Sequence, residues 1–187
     1  MRLRRYIGHA RRAIEEWELL ELLDRCASPA YRVIYCLAAD AGLRRAEILG
    51  LTAEDVTETR IRVAAGKCNV TRWTINTERI RAGIAAADWW NCWRPCYGWI
   101  GGAMKVDLAR AGLPADLSLH CLRHRFATRL LRGGVNLMDI SALLGHNELA
   151  STAVYLHDSP QRYDQARLAI EGLVCPQGSL FPGEAYR

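Results

Sequence analysis

The spacing of apolar positions divides the chain into helical stretches interrupted once by strict alternation. Residues 13 to 26 place Ile14, Trp17, Leu20 and either Glu21 or Leu22 to Leu23 at helical intervals, which predicts an amphipathic helix. Pro29 suits the opening of a second helix and Gly42 its end, so two antiparallel helices are expected here. A short helix from Arg44 to Leu51 follows, then a polar turn of Thr52, Glu54 and Asp55. Residues 60 to 65 (RIRVAA) and 70 to 76 (VTRWTIN) alternate, and Gly66 to Asn69 supplies turn chemistry between them, so a β-hairpin is predicted. Beyond it the pattern is helical at about 77 to 88, about 98 to 111, 119 to 132, 137 to 144, 148 to 156 and 160 to 173. Ser118 is expected to cap the third of these, Ser159 with Pro160 to open the last, and Gly133, Gly134 and Gly145 to act as stops. The expected fold class is mainly α with a small antiparallel β-sheet (α+β).

At 187 residues the chain has the size of one domain, which excludes a second full-sized one. With half its residues hydrophobic it buries enough surface to fold without a disulfide or metal staple. No apolar run approaches the ~20 residues of a bilayer span, and no apolar segment follows the charged N-terminus, so membrane insertion and secretion are disfavoured. Seven cysteines without regular spacing argue against a disulfide framework and for a reducing cytoplasm, with Cys26, Cys36 and Cys175 read as buried structural residues. Cys92 and Cys96 form one loose pair, and His120, Cys121 and His124 another cluster; neither completes the tetrahedral set that zinc requires, so no metal site is expected.

The net charge of +5 points to an anionic partner only weakly. Its form is more informative, because 23 positive side chains are Arg and only Lys67 and Lys105 are Lys. Guanidinium grips phosphate with a planar fork, although GC-rich codon use accounts for such a count equally well. Arg2, Arg4, Arg5, Arg11 and Arg12 form a basic N-terminal arm over 1 to 12, placed before an acidic helix. That arm either follows a DNA backbone or is a solvated tail.

Four stretches carry candidate chemistry. In Gly42-Leu43-Arg44-Arg45-Ala46-Glu47, an Arg begins a helix directly after a Gly turn, where it meets either a phosphate oxygen or simply Glu47. In His120-Cys121-Leu122-Arg123-His124, His120 and Arg123 share one helix face, a proton-transferring imidazole beside a fixed cation, while His124 turns away. His146 follows the helix-breaking Gly145, and Tyr155 comes nine residues later. Lys67 lies at the hairpin tip, either as an exposed turn residue or as a general acid, since ammonium surrenders a proton and guanidinium does not.

Taken in order, G-L-R-x-x-E (42 to 47), G-K-x-N-x-x-R (66 to 72), H-x-L-R-H-x-x-A-T (120 to 128), L-G-H (144 to 146) and T-x-x-Y-x-H (152 to 157) resemble the tyrosine recombinases, the phage integrase family. The likeness spans about residues 13 to 173 and implies that family's catalytic-domain fold, with 174 to 187 as a C-terminal tail. It implies that Tyr155 is the nucleophile attacking a DNA phosphodiester, that Arg44 and Arg123 clamp its nonbridging oxygens, and that His120 and His146 assist by hydrogen bonding and proton transfer. Lys67 would protonate the departing 5′-hydroxyl. Tyr97 and Tyr163 are rival nucleophiles without matching neighbours. Arg45 and Arg72 flank the expected site as candidate DNA contacts, each either a phosphate ligand or one half of an ion pair.

The implied product is a 3′-phosphotyrosyl linkage that conserves the bond energy, so neither metal, ATP nor nucleotide cofactor is required. The implied partner is double-stranded DNA, with several copies, a tetramer by resemblance, assembling on it in a nucleoid-associated setting of bacterial, phage or mobile-element origin. Family members usually carry an N-terminal core-binding domain, and only about a dozen residues precede the catalytic region here. This leaves an excised catalytic domain or a naturally compact member, and, as an alternative function, a noncatalytic DNA-binding module or regulator derived from a recombinase. The Trp- and Cys-rich segment 88 to 100 has no role in the resemblance.

Overall fold

The computed structural model describes residues 12 to 64, 71 to 91 and 98 to 145, with 167, 168, 170 and 171 near the C-terminus. Over these residues it is mainly helical with one small antiparallel sheet: α1 Glu16–Arg25, α2 Pro29–Asp40, α3 Arg45–Gly50, a 3-10 turn Ala53–Asp55, β1 Arg60–Val63, β2 Arg72–Ile75, α4 Glu78–Ala86, α5 Ile100–Arg110, α6 Leu119–Arg132 and α7 Leu137–Leu144. The predicted helix at 148 to 156 lies outside the described residues, and of the one at 160 to 173 only Arg167, Leu168, Ile170 and Glu171 are described, all helical. No described helix is long and apolar enough to cross a membrane.

Helix α2 is apolar on almost every side, from Val33 through Ala39, and such a helix must be surrounded. It packs on α6 and α4 and, less extensively, on α3 and α5. Tyr35 is fully buried within it, and its hydroxyl donates to Asp107 Oδ2 of α5 at 2.9 Å, so the one polar atom of that ring is satisfied. A second apolar cluster of Ile75, Phe126, Leu130, Val135, Ile140, Leu143 and Leu144 joins β2, α6 and α7. The strands pair Arg60 with Ile75 and Val63 with Arg72, which brings the start of β2 beside α7.

Three expectations need correction. The buried face of α1 is Glu18, Leu19, Leu22 and Leu23, with Trp17 and Leu20 exposed, because Arg12 pairs with Glu18 and lets that carboxylate turn inward. The main partner of α1 is α5 rather than α2. Ser118 occupies the first position before α6, yet its hydroxyl lies 3.5 Å from Cys121 Sγ and caps nothing. The side-chain caps are instead Thr77, accepting from Ile80 N, and Asn136, accepting from Met138 N at 2.8 Å. Of the cysteines read as structural, Cys36 is buried and Cys26 half-buried, while Cys175 lies outside the described residues. In the Trp-rich segment Trp89 is core, Trp90 half-buried and Trp99 exposed.

Beneath α6 lies a charged brace. Arg125 donates to Ala39 O and Asp40 Oδ1, each at 3.0 Å, and pairs with Glu16, which also holds Arg129 and Arg79. Arg79 in turn reaches Asp40 Oδ2 at 3.3 Å, so α1, α2, α4 and α6 share one ion network.

Gly42 turns the chain out of α2 at φ +67°, and a Cβ there would stand 2.5 Å from the Phe126 ring. Gly42→Ala is expected to lower stability by roughly 1–3 kcal/mol, from the left-handed backbone and the clash together. Urea unfolding measures this, and an unchanged midpoint would mean that neither the left-handed backbone nor the displacement of the Phe126 ring costs stability there.

Candidate active site

The site is built where α3, β2, α6 and α7 meet. Leaving α2 through Gly42, the chain enters α3 with Arg44 in the capping position, and the Glu47 carboxylate accepts from Arg44 N at 2.7 Å. This local closure satisfies a free backbone N–H of the helix start and turns Glu47 toward the interior. Arg72, the first residue of β2, then grips the same carboxylate with both ends of its fork, Nη1 to Oε1 at 2.9 Å and Nη2 to Oε2 at 2.8 Å. Arg44 Nη1 adds a bond to Oε1 at 3.0 Å, and Arg123 Nη1 of α6 lies 3.8 Å from Oε2.

The same three arginines bind the end of α7, each through one backbone carbonyl. Arg72 Nε donates to Leu143 O at 2.8 Å, Arg123 Nη2 to Leu144 O at 2.6 Å and Arg44 Nη2 to Gly145 O at 3.2 Å. A helix C-terminus presents unpaired carbonyls and partial negative charge, so cations are favoured there by ~0.3–1 kcal/mol each. Arg123 also donates to Gly42 O, which fixes it from the opposite side. Gly145 ends α7 in the left-handed conformation at φ +63°, and a Cβ on it would lie 2.9 Å from Arg72 Cδ.

These three guanidiniums against one carboxylate leave two positive charges in excess. Arg44 is open to solvent, with 46% of its side chain exposed, whereas Arg72 and Arg123 show 11% each. Burial pushes the Arg123 pKa down to about 9, helped by Arg44 and Arg72 and opposed by Glu47, so the group keeps its charge at neutral pH. For Glu47 burial works against ionisation, but the Arg72 fork, the Arg44 N–H and the surrounding charge carry its pKa down to about 2.

His120 stands on the first turn of α6, three residues before Arg123, and is exposed, as is His124. Arg45 is half-buried on α3. Cys121 is buried between the two histidines in sequence, and among the described residues no group of three or more His, Cys, Asp or Glu gathers to hold a metal. Lys67 belongs to the hairpin connection, and it lies outside the described residues together with His146, Tyr155, Tyr97, Tyr163, Cys92 and Cys96.

The Phage integrase family model matches residues 100–162. A tyrosine recombinase of Thermosipho africanus is 43% identical over 58 residues, 31% of this chain and 20% of that protein. The tyrosine recombinase XerA of Saccharolobus solfataricus is 28% identical over 155 residues, 78% of this chain and 52% of that protein. Among solved structures, the integrase from mycobacterium phage Brujita superposes with a TM-score of 0.72 at 27% identity, covering 91% of this chain and 60% of that one. The chain belongs to the phage integrase family of tyrosine recombinases. It spans only about half the length of the XerA relative.

Within this recombinase domain Glu47 is the residue whose importance the sequence understates. Read alone it is the local partner of Arg44; in the structure it is the shared counter-ion of three elements. The signal available was its position in G-L-R-x-x-E, three residues after an Arg at a helix start.

The depressed Glu47 pKa fixes a pH dependence. Its folded value of about 2 lies below the ordinary 4.5, so its stabilisation is complete above about pH 5 and is lost as pH falls toward 2. The difference corresponds to on the order of 3 kcal/mol. Glu47→Gln is expected to be less stable than wild type at neutral pH and to lose much of the stability change between pH 5 and 2. Parallel denaturation curves with equal acid slopes would contradict this.

Proposed function

We propose that the chain breaks and rejoins DNA strands at a specific site through Tyr155. The observation that carries this reading is the cluster of Arg44, Arg72 and Arg123, whose two surplus positive charges lie at the turn leading directly into His146. A phosphodiester carries one negative charge, and attack on phosphorus raises it toward two in the transition state. Preorganised cations in a partly buried site stabilise that increase most strongly.

In the proposed step the Tyr155 oxygen forms a bond to phosphorus as the bond from phosphorus to the 5′ oxygen breaks. The phenolic proton passes to His120, and Lys67 supplies a proton to the departing 5′ oxygen. A phenol of pKa ~10 requires such help at neutral pH. Arg44 and Arg123 hold the nonbridging oxygens, with His146 as a further hydrogen-bond donor. The products are a 3′-phosphotyrosyl bond and a free 5′-hydroxyl, and attack by a 5′-hydroxyl of another strand reverses the step. The energy of the broken bond is retained in the adduct, so the cycle balances without ATP.

Residues 13 to 173 form the catalytic domain in this reading, with 1 to 12 as a basic arm on the DNA backbone and 174 to 187 as a tail, and several copies act together on double-stranded DNA. Arg45, at the start of α3 beside Arg44, is the proposed peripheral DNA contact.

A pool of nicked duplex oligonucleotides, in which cleavage releases a short fragment and traps the adduct, tests the proposal. The protein is expected to become covalently attached to a subset of sequences. Tyr155→Phe is expected to lose attachment altogether while binding changes by less than about threefold. Attachment by that variant would place the nucleophile elsewhere, and binding without attachment by the wild type would favour a noncatalytic DNA-binding role.

A further inference from the structure

Arg72 differs from the other two arginines in how its donors are spent. Nε goes to Leu143 O at 2.8 Å, Nη1 to Glu47 Oε1 at 2.9 Å and Nη2 to Glu47 Oε2 at 2.8 Å, so every nitrogen of the guanidinium binds the protein. With 11% of its side chain exposed it lies beneath Arg44, which is four times as exposed. Its charge is met directly by the carboxylate that it grips with both ends of its fork. It therefore has less to offer a phosphate than the exposed Arg44 or than Arg123, whose two hydrogen bonds go to neutral carbonyls. It is placed, however, to govern the two groups that hold Arg44 and Arg123: the Glu47 carboxylate and the last turn of α7. Arg44 shares Glu47 Oε1 with it and takes Gly145 O, while Arg123 takes Leu144 O and approaches Glu47 Oε2.

We propose that Arg72 is a positioning residue of the recombination site, a strut from β2 that orients Glu47 and the end of α7 and through them the two phosphate-binding arginines. The inference rests on the strand-cleavage reading of the site. It removes Arg72 from the DNA contacts and makes the hairpin part of the apparatus that sets the arginine geometry. The bonds from Arg72 span 25 and 71 residues of sequence, so one side chain ties α3, β2 and α7 together. The missing Cβ of Gly145 belongs to the same device, since a methyl there would press on the Cδ, Nη1 and Nε of Arg72. Lysine cannot substitute. A single ammonium does not meet two carboxylate oxygens and a carbonyl in one plane.

The test uses Arg72→Gln and Arg72→Lys in the full chain, with two readouts. The first needs no DNA. Carboxyl-carbon NMR of Glu47 is expected to show a titration near pH 2 in the wild type and a rise toward the ordinary carboxylate range in both variants. An unchanged titration would overturn the proposal.

The second readout compares cleavage of the trapped oligonucleotide with that of the same duplex carrying a methylphosphonate at the scissile position. The methyl group removes one negative charge and with it much of the demand for well-placed guanidiniums. Both variants are expected to cleave the phosphate roughly 10- to 100-fold more slowly, as displacement of catalytic groups by about an ångström does. On the methylphosphonate they are expected to stay within about threefold of wild type, with the salt dependence of binding unchanged. The ratio of the two rates is taken on the same folded molecules, so partial unfolding does not imitate it. Equal losses on both substrates, full activity of Arg72→Lys, or weaker binding with a salt slope reduced by about one would overturn the proposal, the last by revealing a direct phosphate contact. If the wild type labels no oligonucleotide while Glu47 titrates as expected, the cleavage reading fails and the hold of Arg72 on Glu47 stands.

Discussion

One carboxylate among three guanidiniums organises this domain. Two like charges about 6 Å apart repel by about 3 kcal/mol at an effective dielectric of 20, so three arginines do not gather without a counter-ion. Glu47 supplies it, and the three carbonyls at the end of α7 supply the remaining acceptors. The result is a group of cations held by the protein before any anion arrives. Removing the carboxylate would leave buried positive charge without compensation, a far greater disturbance than the loss of one surface ion pair.

The rest of the fold places the four contributing elements. Helix α2, enclosed on nearly every side, is the post around which α3, α4, α5 and α6 are arranged, and Gly42 directs the chain from it into Arg44. Helix α6 lies between two charged clusters. Arg123 enters the site, and Arg125, two residues later and on nearly the opposite side of the helix, enters the brace with Asp40 and Glu16. Rotation of α6 about its axis would break both sets of contacts at once, so the phase of the helix is fixed by charge as well as by the apolar packing of Phe126 and Leu130.

Much of this was legible in the sequence where local signals are strong. Helices α6 and α7 start and stop where the apolar period and the glycines place them, and the hairpin follows from alternation around a turn. The wrong face of α1 has a physical origin. Its segment is apolar at 17, 19, 20, 22 and 23, which supports more than one stripe, and the choice was made by the pairing of Glu18 with Arg12. Serine before α6 looked like a cap, but a nearby thiol took its hydroxyl. In the site, Arg44 and Arg123 stood out by their motifs. The meeting of Arg72 with Glu47 did not, because 25 residues separate them and no period or turn rule encodes a tertiary contact of that kind.

The brace beneath α6 separates the salt sensitivity of the scaffold from that of the exposed part of the site. Asp40 and Arg125 are almost wholly inaccessible, with side chains 1% and 4% exposed, so dissolved ions scarcely screen their attraction. Arg44, nearly half exposed, feels the ionic atmosphere in full. On the proposed reading, raising the salt therefore weakens a grip on an external phosphate backbone long before it loosens the scaffold. A scaffold of this kind keeps its architecture in concentrated brine, while exposed cations such as Arg44 lose their hold on any anionic polymer.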